Sequence, residues 1–342
     1  MLIWRINSDY TIIDKWFLKN IIQKIVSKKT QVSSQKIGLD IGLVIGRFFM
    51  GSEDLHYGYW PNGKDASVQN FAHAQDSHSK LIMDHIPEKT NSILDVGGGS
   101  GNLALKLLDN GYSVDCVIPS EFLAEQAKEK LGKESVIHIC GFEQIPTTKT
   151  YDLIIFSESF QYVKMDESLH KVGDIISSVG HLLICDFFRR DVPGKSPMGG
   201  GHSWQGFKDT ISTLPFQQVT DLDISEETAP TIDLLDQFCQ DVLTPISEMS
   251  GSYLQYKYPY LTKLLNWKLK KRIEKIRRTY LSGELNGDSF KKFKTYRLLL
   301  YKRKIEGVEP DGIEPTTSWM PFRRSPNWAT APFPLIVQWI YK

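Results

Sequence analysis

The sequence predicts an α/β fold: a doubly wound (Rossmann-like), mostly parallel seven-stranded sheet with N-terminal helices and an inserted helical cap. Three observations predict it. From about residue 91, short and nearly continuous apolar runs alternate with stretches of helical periodicity, the pattern of strands buried on both faces. The glycine run Gly97-Gly-Gly-Ser-Gly101 stands where one such strand ends and a helix begins. A long, looser insertion separates the fifth apolar run from a closing one at Tyr296–Tyr301.

The elements follow in order. Ser92–Val96 is a strand and Asn102–Asp109 a helix; Ser113–Ile118 is a strand and Glu121–Leu131 a helix. Ser135–Cys140, Tyr151–Ser157 and His181–Phe187 supply three more strands, and Phe216–Ile224 a sixth. Asp191–Gly206, rich in Gly, Pro and Ser, reads as a loop or lid. Thr231–Thr244 and Leu261–Leu281 read as helices, the second with Leu261, Leu265, Leu269, Ile273, Ile276 and Tyr280 on one face. The domain plan is an N-terminal helical segment over residues 1–50, one domain over 51–304 with cap elements at about 188–290, and a tail over 305–342.

Within the first segment, Ile12, Trp16, Phe17, Ile21, Ile22, Ile25 and Val26 recur at helical spacing among five lysines, so a helix that lids the core or lies on a membrane is expected. The tail lacks periodicity, and Asp311–Pro315 back-translates to the complement of a tRNA-arm-like sequence. It is expected to be disordered, an extension of the reading frame.

Net charge is +1, but Lys257–Lys304 holds sixteen Lys/Arg against three Asp/Glu. Such a block is either the solvated face of a helix or a surface that attracts phosphates or an anionic membrane. Cys116, Cys140, Cys185 and Cys239 form no Cys-x-x-Cys pair, and free thiols in a reducing cytoplasm explain them better than disulfides or zinc. No apolar run reaches the length of about eighteen residues that a spanning helix needs, and no secretory signal opens the chain. A cytoplasmic protein with peripheral membrane contact is the expectation. No metal-ligand cluster stands out among the eight histidines.

In Ile93-Leu-Asp-Val-Gly-Gly-Gly-Ser-Gly101 the glycines let backbone approach a ligand closely, with Asp95 just ahead. No Gly-Lys-Ser/Thr ending follows, which excludes a Walker A loop, and the G-x-G-x-x-G spacing of nicotinamide-binding loops is not met. The run resembles motif I of the class I S-adenosylmethionine (SAM) dependent methyltransferases. That resemblance implies a loop (Gly97, Gly98, Gly99, Gly101) around the amino-acid part of SAM, with Asp95 orienting its amine.

Other segments extend the resemblance over roughly residues 50–304. Asp54-Leu-His-Tyr-Gly-Tyr-Trp60 looks like an aromatic run of tocopherol, sarcosine and cyclopropane-fatty-acid methyltransferases. It implies that Tyr57 and Tyr59 close over SAM, since aromatic faces attract a sulfonium cation; an aromatic core plug is the alternative. At the end of the second strand the family places an acid for the ribose. Ile118 occupies that position here, leaving Ser120 or Glu121 to contact the ribose. Gly141-Phe-Glu-Gln-Ile-Pro146 is similar to the adenine-side motif, with Phe142 where an acid is usual. Phe142 either stacks near adenine or fills the core, and Glu143 offers an acceptor. The corner Phe156-Ser-Glu-Ser-Phe-Gln-Tyr162 faces the transferable methyl in this fold; Ser157 is expected beside the cofactor, and Glu158, Ser159 and Gln161 beside the substrate. The Asn/Asp-Pro-Pro-Tyr run of enzymes acting on planar nitrogens is absent.

His202, in Met198-Gly-Gly-Gly-His-Ser-Trp204, is expected to be a general base, because its ordinary pKa lies nearest neutrality; a plain surface histidine is the alternative. The expected catalytic set is thus His202, Tyr57 and Glu158. The reaction implied is methyl transfer from SAM to an O, N or C atom of a small or lipid-like acceptor. The rivals are an RNA or protein methyltransferase that uses the basic block, and a non-catalytic interaction module.

Overall fold

The computed structural model describes residues 52–61 and 66–304. The expected helix over residues 11–29 and the tail from residue 305 lie outside the described residues.

In chain order the elements are α1 (Phe71–Met83), β1 (Ser92–Val96), α2 (Asn102–Asp109), β2 (Ser113–Val117), α3 (Glu121–Leu131), β3 (Ile137–His138), β4 (Tyr151–Ser157), α4 (Met165–Ile175) and β5 (Ile176–Arg189). There follow α5 (Trp204–Ser212), β6 (Phe216–Asp223), α6 (Ser225–Phe238), α7 (Thr244–Lys257), α8 (Pro259–Tyr280), α9 (Gly287–Phe293) and β7 (Lys294–Arg303).

The seven strands form one sheet in the order β3-β2-β1-β4-β5-β7-β6. The pairs from β3 to β5 are parallel, and β7 runs antiparallel to both β5 and β6. Alternate side chains go to opposite faces of a strand, and each face has its own core here. Ile93, Leu153, Ile155, Leu183 and Leu298 enter one; Leu94, Ile154, Ile184, Leu299 and Tyr301 enter the other. Burial on both faces is why these strands read as continuous apolar runs. Each such side chain contributes about 1.5–3 kcal/mol by leaving water.

Chain order reverses between β1 and β4, opening a crevice at their carboxyl ends, where ligands bind in doubly wound sheets. Gly97 follows β1 and Glu158 follows β4, so two of the motifs meet at this crevice.

Several boundaries differ from expectation. β5 is longer than His181–Phe187 at both ends: the Tyr151↔Ile176 pair with β4 starts it early, and antiparallel pairing with β7 carries it on to Arg189↔Lys294. β3 shrinks to two residues, since it pairs on one side only. Helices α1, α4, α5, α7 and α9 have no counterpart in the expected pattern, although in α4 Leu169, Val172 and Ile175 bury an apolar stripe, and the expected helix Thr231–Thr244 is instead Ser225–Phe238. Within the expected loop Asp191–Gly206, α5 already begins at Trp204, capped by Ser203 Oγ, which accepts from Gly206 N at 3.1 Å. The apolar stripe of α8 is not a core face: Leu261, Leu265 and Ile273 are exposed, and Tyr280 is its one buried member.

Candidate active site

A cavity of about 320 Å³ lies at the crevice, within the range of small-ligand pockets. Its floor is the turn after β1. Gly97 has φ +80°, and a Cβ there would stand 2.4 Å from Ser159 Cβ, so the turn can pass under the β4 corner only as glycine. At Gly99 (φ +55°) a Cβ would meet nothing closer than Leu55 Cδ1 at 3.8 Å, so this backbone is open toward the cavity it lines.

Asp95 sits beneath the loop, fully buried. Its Oδ2 has no hydrogen-bond partner, and burial raises its carboxyl to about 7. An orphaned buried carboxylate oxygen is costly, and a cationic ligand group would offset that cost.

The corner after β4 is strained. Glu158 adopts φ +49°, the left-handed region that side chains other than Gly seldom enter. Its N–H donates to Cys185 O at 2.8 Å, which fixes the turn. Its Oε1 accepts from Tyr57 N at 2.6 Å and from Tyr296 Oη at 2.7 Å. Burial raises the carboxyl to about 8 despite these two bonds, which favour the charged form. Tyr296 Oη also lies 2.9 Å from His78 Nε2. Because the Tyr296 hydroxyl proton goes to Glu158, His78 is assigned as the Nε2–H donor, with Nδ1 buried and unpartnered. Burial holds His78 well below its ordinary pKa, hence neutral.

Next to this chain, Asp186 is raised to about 7 by burial, while Gln161 N donates to its Oδ2 at 2.9 Å. Tyr57 packs among Phe187, Phe290 and Tyr296 at ring separations near 6 Å. Its hydroxyl points at Met198 Sδ, 3.6 Å away, and burial holds that hydroxyl neutral. The Gly-rich loop that carries Met198 is fastened from below: the buried Lys294 Nζ donates to Gly199 O at 3.2 Å and also to Gly200 O.

Of the residues singled out in the sequence, Tyr57, Asp95, Gly97, Gly98, Gly99, Ser120, Phe142, Glu143, Ser157 and Glu158 line this cavity, as do Ser159 and Gln161. Four others do not, and the first of them, Glu121, is exposed in the first turn of α3. His202 Nε2 is 2.9 Å from Phe160 O, its ring packs edge-on to Phe160, and burial lowers its pKa. This geometry ties the loop to the backbone that follows β4. Tyr59 is held by its backbone N–H on Ala74 O at 2.9 Å, while the flanking Gly58 and Trp60 both donate to Thr231 Oγ1. Gly101 packs on Ala127, where a Cβ would stand 3.1 Å from the alanine's.

Ile118 lines the cavity where the ribose acid is usual, and Ser120 Oγ caps α3 by accepting from Leu123 N. Phe142 both lines the cavity and packs edge-on to Phe156, so lining and core filling coincide. Sequence reasoning missed His78, Tyr296 and Asp186. Nothing local marks them, since each sits within an ordinary helix or strand pattern.

A buried acid beneath a glycine turn, a second acid across the crevice and aromatic walls suit a cationic amino-acid ligand. Comparison with known proteins agrees. A methyltransferase-domain family matches residues 93–179. An uncharacterized methyltransferase of Geobacillus thermodenitrificans is 27% identical over 184 residues, 51% of this chain and 86% of that one. Another from Geobacillus sp. strain WCH70 is 31% identical over 149 residues, 41% of this chain and 64% of that one. Among solved structures, mycolic acid cyclopropane synthase superposes with a TM-score of 0.57 at 13% identity, covering 79% of this chain and 97% of that one. Geranyl diphosphate C-methyltransferase from Streptomyces coelicolor gives 0.53 at 13% identity, covering 82% and 97%. At such identity these two show the fold alone. Residues 93–179 thus match a methyltransferase-domain family, the matching relatives are methyltransferases, and the glycine turn and strand order resemble those of the class I, SAM-dependent members.

Proposed function

We propose that the protein transfers the methyl group of SAM to an O, N or C atom of a small or lipid-like acceptor. The observation that carries this reading is the shared cavity. The open backbone at Gly97–Gly99, the unpartnered Asp95 Oδ2 and the Glu158 carboxyl all line one space of about 320 Å³.

Asp95 and the Gly97–Gly99 turn would hold the methionyl end of SAM, and Phe142 and Ile118 its base and ribose side. Bound SAM supplies an electrophilic methyl group. The chain itself contributes orientation and exclusion of water. Glu158, rather than His202, is placed to accept or share a proton from an acceptor O–H or N–H, because it lines the cavity and carries a carboxyl poised near neutrality. Tyr296 and the Tyr57 N–H hold Glu158 in position.

Two features favour a small acceptor. The upstream run Glu53–Tyr57 and Met198 of the Gly-rich loop line the cavity together with the turns after β1 and β4, so the site is a concave pocket of small-ligand size rather than a surface track. The geranyl and mycolic acid chains in the names of the two solved neighbours are likewise small or lipid-like acceptors, of those proteins. A peripheral, cytoplasmic protein fits this reading. Among the described residues no helix is long and apolar enough to cross a membrane.

The test is incubation with SAM carrying a radiolabelled methyl group, together with a small-molecule and lipid extract or with total RNA and protein. Label in the solvent-extracted fraction is expected. Label confined to acid-precipitable RNA or protein would overturn the acceptor class.

A further inference from the structure

The helical hairpin of α7 and α8 takes no part in the cavity. None of α7 is buried, and in α8 only the last residue, Tyr280, is. Apart from each other, these helices have little to pack against except the turn that joins α7 to α6. A hairpin that served only as a spacer would carry a polar surface throughout, whereas this one also exposes large apolar side chains.

Its tip, around Tyr258-Pro259, exposes large aromatic and aliphatic side chains. Tyr256 and Tyr260 are each 89% exposed and Trp267 76%, with Leu261 and Leu264 beside them. Its stem is basic. Lys268, Lys270, Lys271, Arg272, Lys275, Arg277 and Arg278 crowd the rest of α8 against the single acid Glu274. At about 1.5 Å per residue, these charges stand within about 17 Å behind Trp267.

We propose that the α7–α8 hairpin docks on an anionic lipid bilayer, its Tyr/Trp/Leu tip in the interface and its basic stem against the lipid phosphates. Each part of the chemistry has its counterpart there. Trp and Tyr have an apolar body and a polar end, which suits the headgroup boundary. Lys and Arg bury their stems and keep their charges on the phosphates.

Other occupants fit less well. A second copy would bring an equally basic hairpin and repel it. The chain's own first 51 residues are also basic, with eight Lys/Arg and three Asp/Glu. A nucleic acid would use the charges and the rings but gains nothing from Leu261, Leu264 and Met249. The inference rests on this surface alone and goes beyond the methyl-transfer reading.

Flotation of the full-length chain with vesicles tests it. Vesicles of phosphatidylcholine containing phosphatidylglycerol should carry the protein up, vesicles of phosphatidylcholine alone should not, and salt should weaken the association. Each positive charge removed should weaken partition about fivefold. Lys268→Gln, Lys271→Gln, Arg272→Gln and Lys275→Gln in combination should therefore lose on the order of several hundredfold. Tyr260→Ala with Trp267→Ala should lose about tenfold or more.

These positions are solvent-exposed, so circular dichroism and melting of the variants should match the parent. Equal flotation with both vesicle types would overturn the proposal. So would undiminished flotation of folded variants, which would assign the binding to residues 1–51. A third contrary result is displacement of the protein from vesicles by RNA, with binding to RNA indifferent to the Tyr260→Ala, Trp267→Ala pair. A fourth is a dimer in solution that the tip substitutions dissociate.

Discussion

Tyr57 N donates to Glu158 Oε1 across 2.6 Å, joining two segments 101 residues apart in sequence. Through this bond the aromatic run ahead of the sheet is fixed to the strained corner after β4. The same carboxylate oxygen accepts from Tyr296 on β7. One acid therefore ties together the roof, the floor and the antiparallel strand.

Tyr296→Phe removes the hydroxyl that serves both Glu158 and His78. Two buried polar groups then lose a partner, and a loss of about 1–3 kcal/mol of stability is expected. The Tyr296 bond favours ionised Glu158, so its carboxyl should rise further above about 8. Chemical denaturation at neutral pH checks the first effect. An unchanged midpoint would mean that the bond contributes nothing.

The acids of the site make stability fall with pH. Asp95 and Asp186 are raised to about 7 and Glu158 to about 8, above their unfolded values. A folded state that holds protons more tightly is favoured at low pH, and the advantage fades as pH rises through those values. The melting temperature of ligand-free protein should drop between about pH 5 and pH 8, and Asp186→Asn should flatten the slope. A melting temperature that climbs over this range would contradict the burial argument.

SAM carries a sulfonium cation that S-adenosylhomocysteine lacks. A cation near raised carboxyls favours their ionised forms. Binding of SAM near pH 7 should therefore release more protons than binding of S-adenosylhomocysteine. Titration calorimetry in two buffers of different ionisation enthalpy measures the difference, and equal release would separate the sulfonium from these acids.

Much of the fold was legible in the sequence, because strands buried on both faces and a glycine turn leave local signatures. Ser92–Val96 and Tyr151–Ser157 needed no tertiary information. The short β3 and the long β5 did, since pairing partners rather than local pattern set their ends. The glycine turn and Asp95 were legible for the same local reason. His78, Tyr296 and Asp186 were not, because what distinguishes them is who faces them across the sheet. The α8 stripe misled in the opposite direction: helical periodicity reports a face, not what covers it.

Gly97→Ala should destabilise the protein by more than an ordinary glycine substitution. It combines a positive φ with a Cβ 2.4 Å from Ser159 Cβ, so the β4 corner must move. A loss of about 2 kcal/mol or more is expected, with weaker ligand binding. Thermal denaturation reads the first effect, and a melting temperature within a degree or so of the parent would remove the steric argument.

The most direct measurement is calorimetric titration of S-adenosylhomocysteine into the full-length protein and into its Gly99→Arg variant. Gly99 faces open space in the cavity, so the arginine should fill the ligand site without a clash in the core, at the cost of a left-handed backbone (φ +55°) that residues other than glycine seldom adopt. Micromolar binding by the parent and none by a variant that still melts cooperatively is the predicted result. Absence of binding by the folded parent, or equal binding by both proteins, would contradict the assignment of the Gly97–Gly99 cavity as the SAM site.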